Sequence, residues 1–164
     1  MKKIAIMMGS DSDLPVVEKA IAVLKQFDVP YEVHVYSAHR TPEEARDFSV
    51  NARKNGFAAI IAAAGMAAHL AGAVAANTTL PVIGIPVASG GLGGMDALLA
   101  TVQMPTGIPV ATVAVNGAAN AALLCVEMLA ITEPVLAEKL DQKRVADKAA
   151  VLEKDKRIAE QFNA

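Results

Sequence analysis

Tryptophan is absent from the 164 residues, tyrosine occurs twice and cysteine once. The lone Cys125 excludes an intrachain disulfide and a cysteine zinc cluster. A dominant charge is also missing: 15 Lys and Arg stand against 17 Asp and Glu, for a formal −2. That balance offers no basic field for nucleic acid. With 54% apolar and 20% charged residues, the chain is too apolar for a disordered segment. Long apolar runs are lacking as well. The longest, Phe57 to Ala68, spans 12 residues, short of the ~18 that a membrane-spanning helix needs. His69, Asn77 and Thr78–Thr79 interrupt the apolar character beyond it. The apolar run after Lys3 ends at Gly9 after five residues, too short for a signal-peptide core. A soluble, cytoplasmic enzyme or binding domain is expected, with no membrane and no nucleic acid as partner.

The scarcity of charge has a location. The 75 residues from Phe57 to Ile131 hold only Asp96 and Glu127, whereas residues 1–56 hold 16 of the 32 charges and 133–160 hold 14. The length suits one core-forming domain. Such a domain has too much surface to enclose two all-apolar helices on all sides by itself. Helices apolar on every side are normally buried on every side, and 33 alanines favour close helix approach. The pattern predicts a homo-oligomer.

Strand and helix signals alternate along the chain. Segments at Lys3–Met8 (a short apolar run ending in Gly9), Tyr31–Val35, Ala58–Ala63, Pro81–Val87 and Val110–Val115 read as five strands. The first helix is predicted over Pro15–Phe27, with Asp13 as its N-cap. The second starts at Thr41-Pro42-Glu43-Glu44, with Thr as cap and acids in the first turn, and runs to about Asn55. Further helices are predicted over Ala67–Asn77, from about Asp96 to Gln103, and from Gly117 through Ala130. A charged helix continues from Thr132. This alternation predicts an α/β fold: a flavodoxin-like, doubly wound, five-stranded parallel sheet between two helical layers, in the order 2-1-3-4-5. Residues 1–131 would form the catalytic α/β domain. The extra C-terminal helix, 132–164, has no sheet left to cover and is expected to pack on neighbouring subunits.

In such a sheet ligands bind beyond the carboxyl ends of the strands, where the strand order reverses. Three polar loops fall there: Gly9-Ser10-Asp11-Ser12-Asp13, Ser37-Ala38-His39-Arg40-Thr41-Pro42 and Ala64-Gly65-Met66-Ala67-Ala68-His69. A Gly/Ser turn ahead of a helix offers N–H groups to a phosphate, and Arg40 adds a planar cation. Asp13 suits sugar hydroxyls better than phosphate, so the combination points to a ribose phosphate. His39 is the group in the first two loops that titrates near neutral pH when unperturbed, and so is the candidate proton carrier. His69 reads as either a core histidine or a wall of the pocket. His34 shares a strand face with Glu32 and Tyr36 and is expected to be a solvated edge residue. Cys125 reads as a small core side chain. The glycines at 90, 91, 93 and 94 do not follow the first strand. They read as a hinge or close-packing element rather than a dinucleotide fingerprint.

Taken with Leu70 and the later segment Gln103-Met104-Pro105-x-Gly107-x-Pro109-Val110, these loops resemble the class I N5-carboxyaminoimidazole ribonucleotide mutases of purine biosynthesis over residues 2–131. Met66 stands where that family commonly has Gly, and Ala71 where it commonly has Pro. The resemblance implies an isomerase that interconverts N5-carboxyaminoimidazole ribonucleotide and 4-carboxy-5-aminoimidazole ribonucleotide, a homo-octamer, and no metal or organic cofactor. By motif match it implies His39 as the acid–base residue, Ser12 and Arg40 on the phosphate, and Asp13 on the ribose. Ser10, Ser37, Ala38, Ala64, Gly65 and Leu70 would line the base and carboxylate pocket. Two alternatives stand beside it. One is the related carbon dioxide-dependent carboxylase, which typically has Gly where Thr41 follows His39-Arg40. The other is a non-catalytic flavodoxin-like nucleotide-binding module. The absence of Trp, the two Tyr and the first-loop carboxylate weigh against a flavin site.

Overall fold

The computed structural model describes residues 1–163. Its contacts divide the chain into a compact unit of Met1–Val126 and a second beginning at Glu127. The sheet holds β1 (Lys3–Met8), β2 (Tyr31–Val35), β3 (Phe57–Gly65), β4 (Val82–Val87) and β5 (Ala111–Thr112). They are all parallel, in the order β2-β1-β3-β4-β5. The helices are α1 (Leu14–Gln26), α2 (Pro42–Asn51), α3 (Leu70–Ala75), α4 (Met95–Val102), α5 (Ala118–Ala130) and α6 (Pro134–Phe162). Helices cover both faces of the sheet, so its central strands have no polar face. Ile4 to Met8, Ala59 to Ala63 and Val82 to Val87 are buried throughout. This is why they read as continuous apolar runs rather than alternating ones. Among the described residues no helix is long and apolar enough to cross a membrane.

Four elements depart from expectation, each for a local reason. β5 pairs over two residues only, Ala111 and Thr112. Val113 N still donates to Gly84 O (3.1 Å), and Asn116 N donates to Pro86 O (2.8 Å). Pro86 has no N–H to return, so the ladder on that edge of β4 cannot continue. α3 starts at Leu70, three residues later than expected. Met66 has φ 54, a left-handed conformation that helices do not enter. Ala68 N then closes on Met66 O at 2.9 Å and His69 N on Ala67 O at 2.8 Å. A glycine at this position would adopt that φ without strain. α2 ends at Asn51, four residues early, and hydrogen-bonded turns lead on to Gly56 at φ 84. Finally, Asp13 and Thr41 occupy cap positions without capping. A short 3₁₀ turn, Asp11–Asp13, precedes α1, and its cap is Ser10, whose Oγ accepts from Ser12 N at 3.3 Å.

His34 is not a solvated edge residue. β2 is the edge strand, but α2 lays Phe48 over that face. The imidazole stacks on Tyr36 (centroids 5.0 Å apart, 5° between planes) and tilts against Phe48 at 4.8 Å. Its Nε2 is shielded from solvent, without a hydrogen bond, and lies 3.6 Å from Glu32.

In the second unit α6 is a 29-residue, mainly exposed helix. Lys143 pairs with Asp147 at 2.6 Å one turn on, and Arg144 with Glu127 at 3.2 Å. Val145, Val151, Leu152 and Ile158 are exposed along it.

Candidate active site

The order reverses between β1 and β3, and the loops leaving those strands and β2 close around one cavity of about 420 Å³. The first loop contributes Ser10, Ser12 and Asp13; the second Ser37, Ala38, His39 and Arg40; the third Ala64, Gly65 and His69, with Leu70 at the start of α3. All the candidates named from the sequence therefore face a single cleft.

Each loop is held by its own hydrogen bonds. Ser10 Oγ accepts from Ser12 Oγ (2.9 Å) as well as from Ser12 N. Ser37 Oγ accepts from the backbone N–H of His39 (3.3 Å) and of Arg40 (3.1 Å), which leaves its own proton to offer. Thr41 Oγ1 accepts from Ser37 N at 2.8 Å, so its hydroxyl ties the loop shut instead of capping α2. The backbone of His39 and Arg40 is thus fixed while both side chains remain exposed.

The cleft's polar groups differ sharply in environment. Asp13 is only 6% exposed. Burial pushes its carboxyl above the usual range, a backbone hydrogen bond at Ser10 opposes this, and the nearby charge of Asp11 adds to the rise. The Arg40 guanidinium has no acidic partner among the described residues, leaving its planar donor fork open to an anion. His39 Nε2 lies 2.7 Å from His69 Nδ1, and the rings meet nearly edge to face. His69 is therefore a member of the site and not a core histidine.

Gly9, Met66, Ala67 and Ser89 also line the cavity, and the sequence reading did not name them as site residues. Ser89 had an available signal, because it follows β4, the neighbour of β3, at the same end of the sheet. Its approach explains Gly65: a Cβ there would lie 2.0 Å from Ser89 Oγ. In the glycine loop the close-packing reading holds at Gly94, which starts α4 at φ 89 and whose Cβ would meet Val115 at 2.6 Å.

A larger cavity, about 1040 Å³, lies near Pro81 and Ile108 at the opposite end of the sheet. Its one ionisable side chain, Arg53, is bonded to Thr79 O (2.9 Å) and Thr79 Oγ1 (3.0 Å). It offers no group to carry a proton near neutral pH, whereas the smaller cleft is lined by two histidines.

A parallel sheet of this order, with its polar crevice at the reversal point, defines a protein of the flavodoxin-like α/β class. Within that class the chain belongs to the AIR carboxylase family, which it matches over residues 3–150. It is 52% identical over 157 residues to the N5-carboxyaminoimidazole ribonucleotide mutase of Pyrococcus horikoshii, covering 96% of this chain and 89% of that one. To the mutase of the same name from Pyrococcus abyssi it is 55% identical over 144 residues, covering 88% and 83%. The crystal structure of Treponema denticola PurE matches with a TM-score of 0.85 at 27% identity, over 94% of this chain and 96% of that chain.

Proposed function

We propose that this protein is a mutase that interconverts N5-carboxyaminoimidazole ribonucleotide and 4-carboxy-5-aminoimidazole ribonucleotide. The observation that carries the reading is the meeting of His39, Asp13 and Arg40 in one cleft, in a chain about half identical to proteins named for that reaction. Arg40 and the Ser10–Ser12 turn suit the phosphate. Asp13, buried and short of charged partners, is suited to accept from the ribose hydroxyls. Ala38, Ala64, Gly65 and Leu70 supply an apolar wall for the base, with the Ser37 hydroxyl available to the carboxylate and Ser10, whose own proton goes to Asp11 Oδ1 (3.3 Å), beside it.

The reaction needs a proton delivered and a proton removed. His39, as imidazolium, protonates the carbamate nitrogen; the N–C bond breaks and carbon dioxide and the aminoimidazole remain in the cleft. Ring carbon C4 attacks the carbon dioxide, and neutral His39 takes the proton that C4 loses. The histidine ends as it began, and the net change is one carboxylate moved from nitrogen to carbon. Retaining the gas beside C4 replaces a bimolecular encounter with an intramolecular one.

The assembly belongs to the same reading. α4 leaves Met95, Leu99 and Val102 exposed along one face, and α6 exposes a further apolar set. Such surfaces suit burial between copies of the chain, and a cytoplasmic homo-octamer with an α/β catalytic domain of residues 1–131 and helix 132–164 packed on neighbours is the form we infer.

Turnover of each ribonucleotide, with and without added bicarbonate, tests the function. The mutase should work without bicarbonate; strict dependence on it would favour the carboxylase. His39→Asn should retain substrate binding by calorimetry and lose ~10²–10⁴-fold in single-turnover rate, the usual worth of acid–base catalysis. Near-normal turnover in that variant would remove His39 from the mechanism.

A further inference from the structure

We propose that His69 is a positioning residue that fixes the tautomer of His39 and confines its proton exchange to Nδ1; this rests on the reading of His39 as the acid–base group. The contact joins Nε2 of His39 to Nδ1 of His69 at 2.7 Å, with ring centroids 4.9 Å apart and planes at 83°. At that distance one nitrogen donates and the other accepts. The identity of the two nitrogens decides which. Free imidazole side chains favour the tautomer protonated on Nε2, and both rings keep it when His39 Nε2–H donates to His69 Nδ1. The reverse arrangement forces both rings into the disfavoured Nδ1–H form.

The consequence falls on the other nitrogen of His39. With Nε2–H held by His69, the lone pair of neutral His39 is on Nδ1, which has no protein partner among the described residues. Nδ1–H first delivers its proton to the carbamate nitrogen, and the bared Nδ1 then takes the proton that C4 loses, while Nε2–H stays bonded to His69 in both charge states. That bond strengthens when His39 is imidazolium, as charge-assisted hydrogen bonds do. The geometry is built before substrate arrives. The Ser37 hydroxyl fixes the backbone of His39, and the Met66–His69 turn fixes that of His69.

The chain has three histidines, so ¹⁵N-histidine labelling gives a resolvable set. Solid-state NMR of the whole unliganded protein at mildly alkaline pH should show His39 and His69 both protonated on Nε2. A through-hydrogen-bond ¹⁵N–¹⁵N coupling should link His39 Nε2 to His69 Nδ1. An Nδ1–H signal on either ring, or no coupling, overturns the proposal without reference to any activity. In turnover, His69→Leu should lower kcat about tenfold, the worth of one hydrogen bond at the upper end of its usual range, with KM near wild type. His69→Gln, which retains an acceptor, should recover most of that loss. Equal losses in both variants, or none in either, overturn the positioning role. A wild-type protein that turns over neither ribonucleotide overturns the functional reading instead, and the spectra still decide the tautomer.

Discussion

Asp13, proposed for the ribose, is held in the cleft at the expense of folding. Its carboxyl is buried and titrates above the ordinary value of 3.8. The folded protein therefore holds that proton more tightly than the unfolded chain does. Its contribution to stability is full below pH 3.8 and is lost as pH rises through the folded value. Asp13→Asn removes a charge that is costly to bury. The variant should be more stable than wild type in urea unfolding at neutral pH, with the gap closing as pH falls through the folded value toward 3.8. Ribonucleotide binding should weaken by about ten- to a hundredfold, the loss of a hydrogen bond to a charged group. A stability gap that does not change with pH would mean that the buried carboxylate carries no such penalty.

At the scale of elements, β1 and β2 keep the bounds expected of them, β1 because a buried parallel strand needs little more than an apolar run. β5 and α3 do not. The limit on β5 is a proline in another strand, and the late start of α3 comes from a backbone conformation at Met66 that no apolar period reveals. Close approach between elements is equally invisible in a linear reading. α4 packs on β4 at Gly84, where a Cβ would lie 2.4 Å from Thr101 Cγ2 and 3.0 Å from Val110 Cγ1. Thr101 is buried and its hydroxyl donates to Ala97 O at 2.7 Å, so it cannot turn away freely. Gly84→Ala should destabilise by ~1–3 kcal/mol through overpacking, whereas Gly91→Ala, with no atom within 4 Å of its Cβ, should change little. Paired thermal melts decide it, and equal melting temperatures would contradict the crowding.

For the whole molecule the open matter is what covers the apolar surface. Met95, Leu99 and Val102 repeat at intervals of four and three on α4, the spacing of one helix face. A charge in the middle of that face would be stranded in any interface formed there. Light scattering should give about eight subunits of 17.0 kDa for the wild type, and Leu99→Glu should shift the mass to a smaller species with its far-ultraviolet circular dichroism unchanged. An unassembled wild-type monomer would contradict the proposed octamer, and an unchanged mass for the variant would remove α4 from its interface.

The sequence by itself determined the strand order and the end of the sheet where polar loops gather. Apolar runs, alternating with helices, permit few parallel arrangements, and glycine, serine and histidine were conspicuous between them. It also marked every residue assigned to the cleft from its motifs. Only the tertiary structure decided how those residues use one another. That Ser37 caps its own loop, that Thr41 ties it shut, that Ser89 reaches in over Gly65 and that His39 meets His69 are contacts between atoms distant or oddly turned along the chain. Sequence patterns report which face of an element is apolar; hydrogen bonds depend on separations of tenths of an ångström, which packing alone sets.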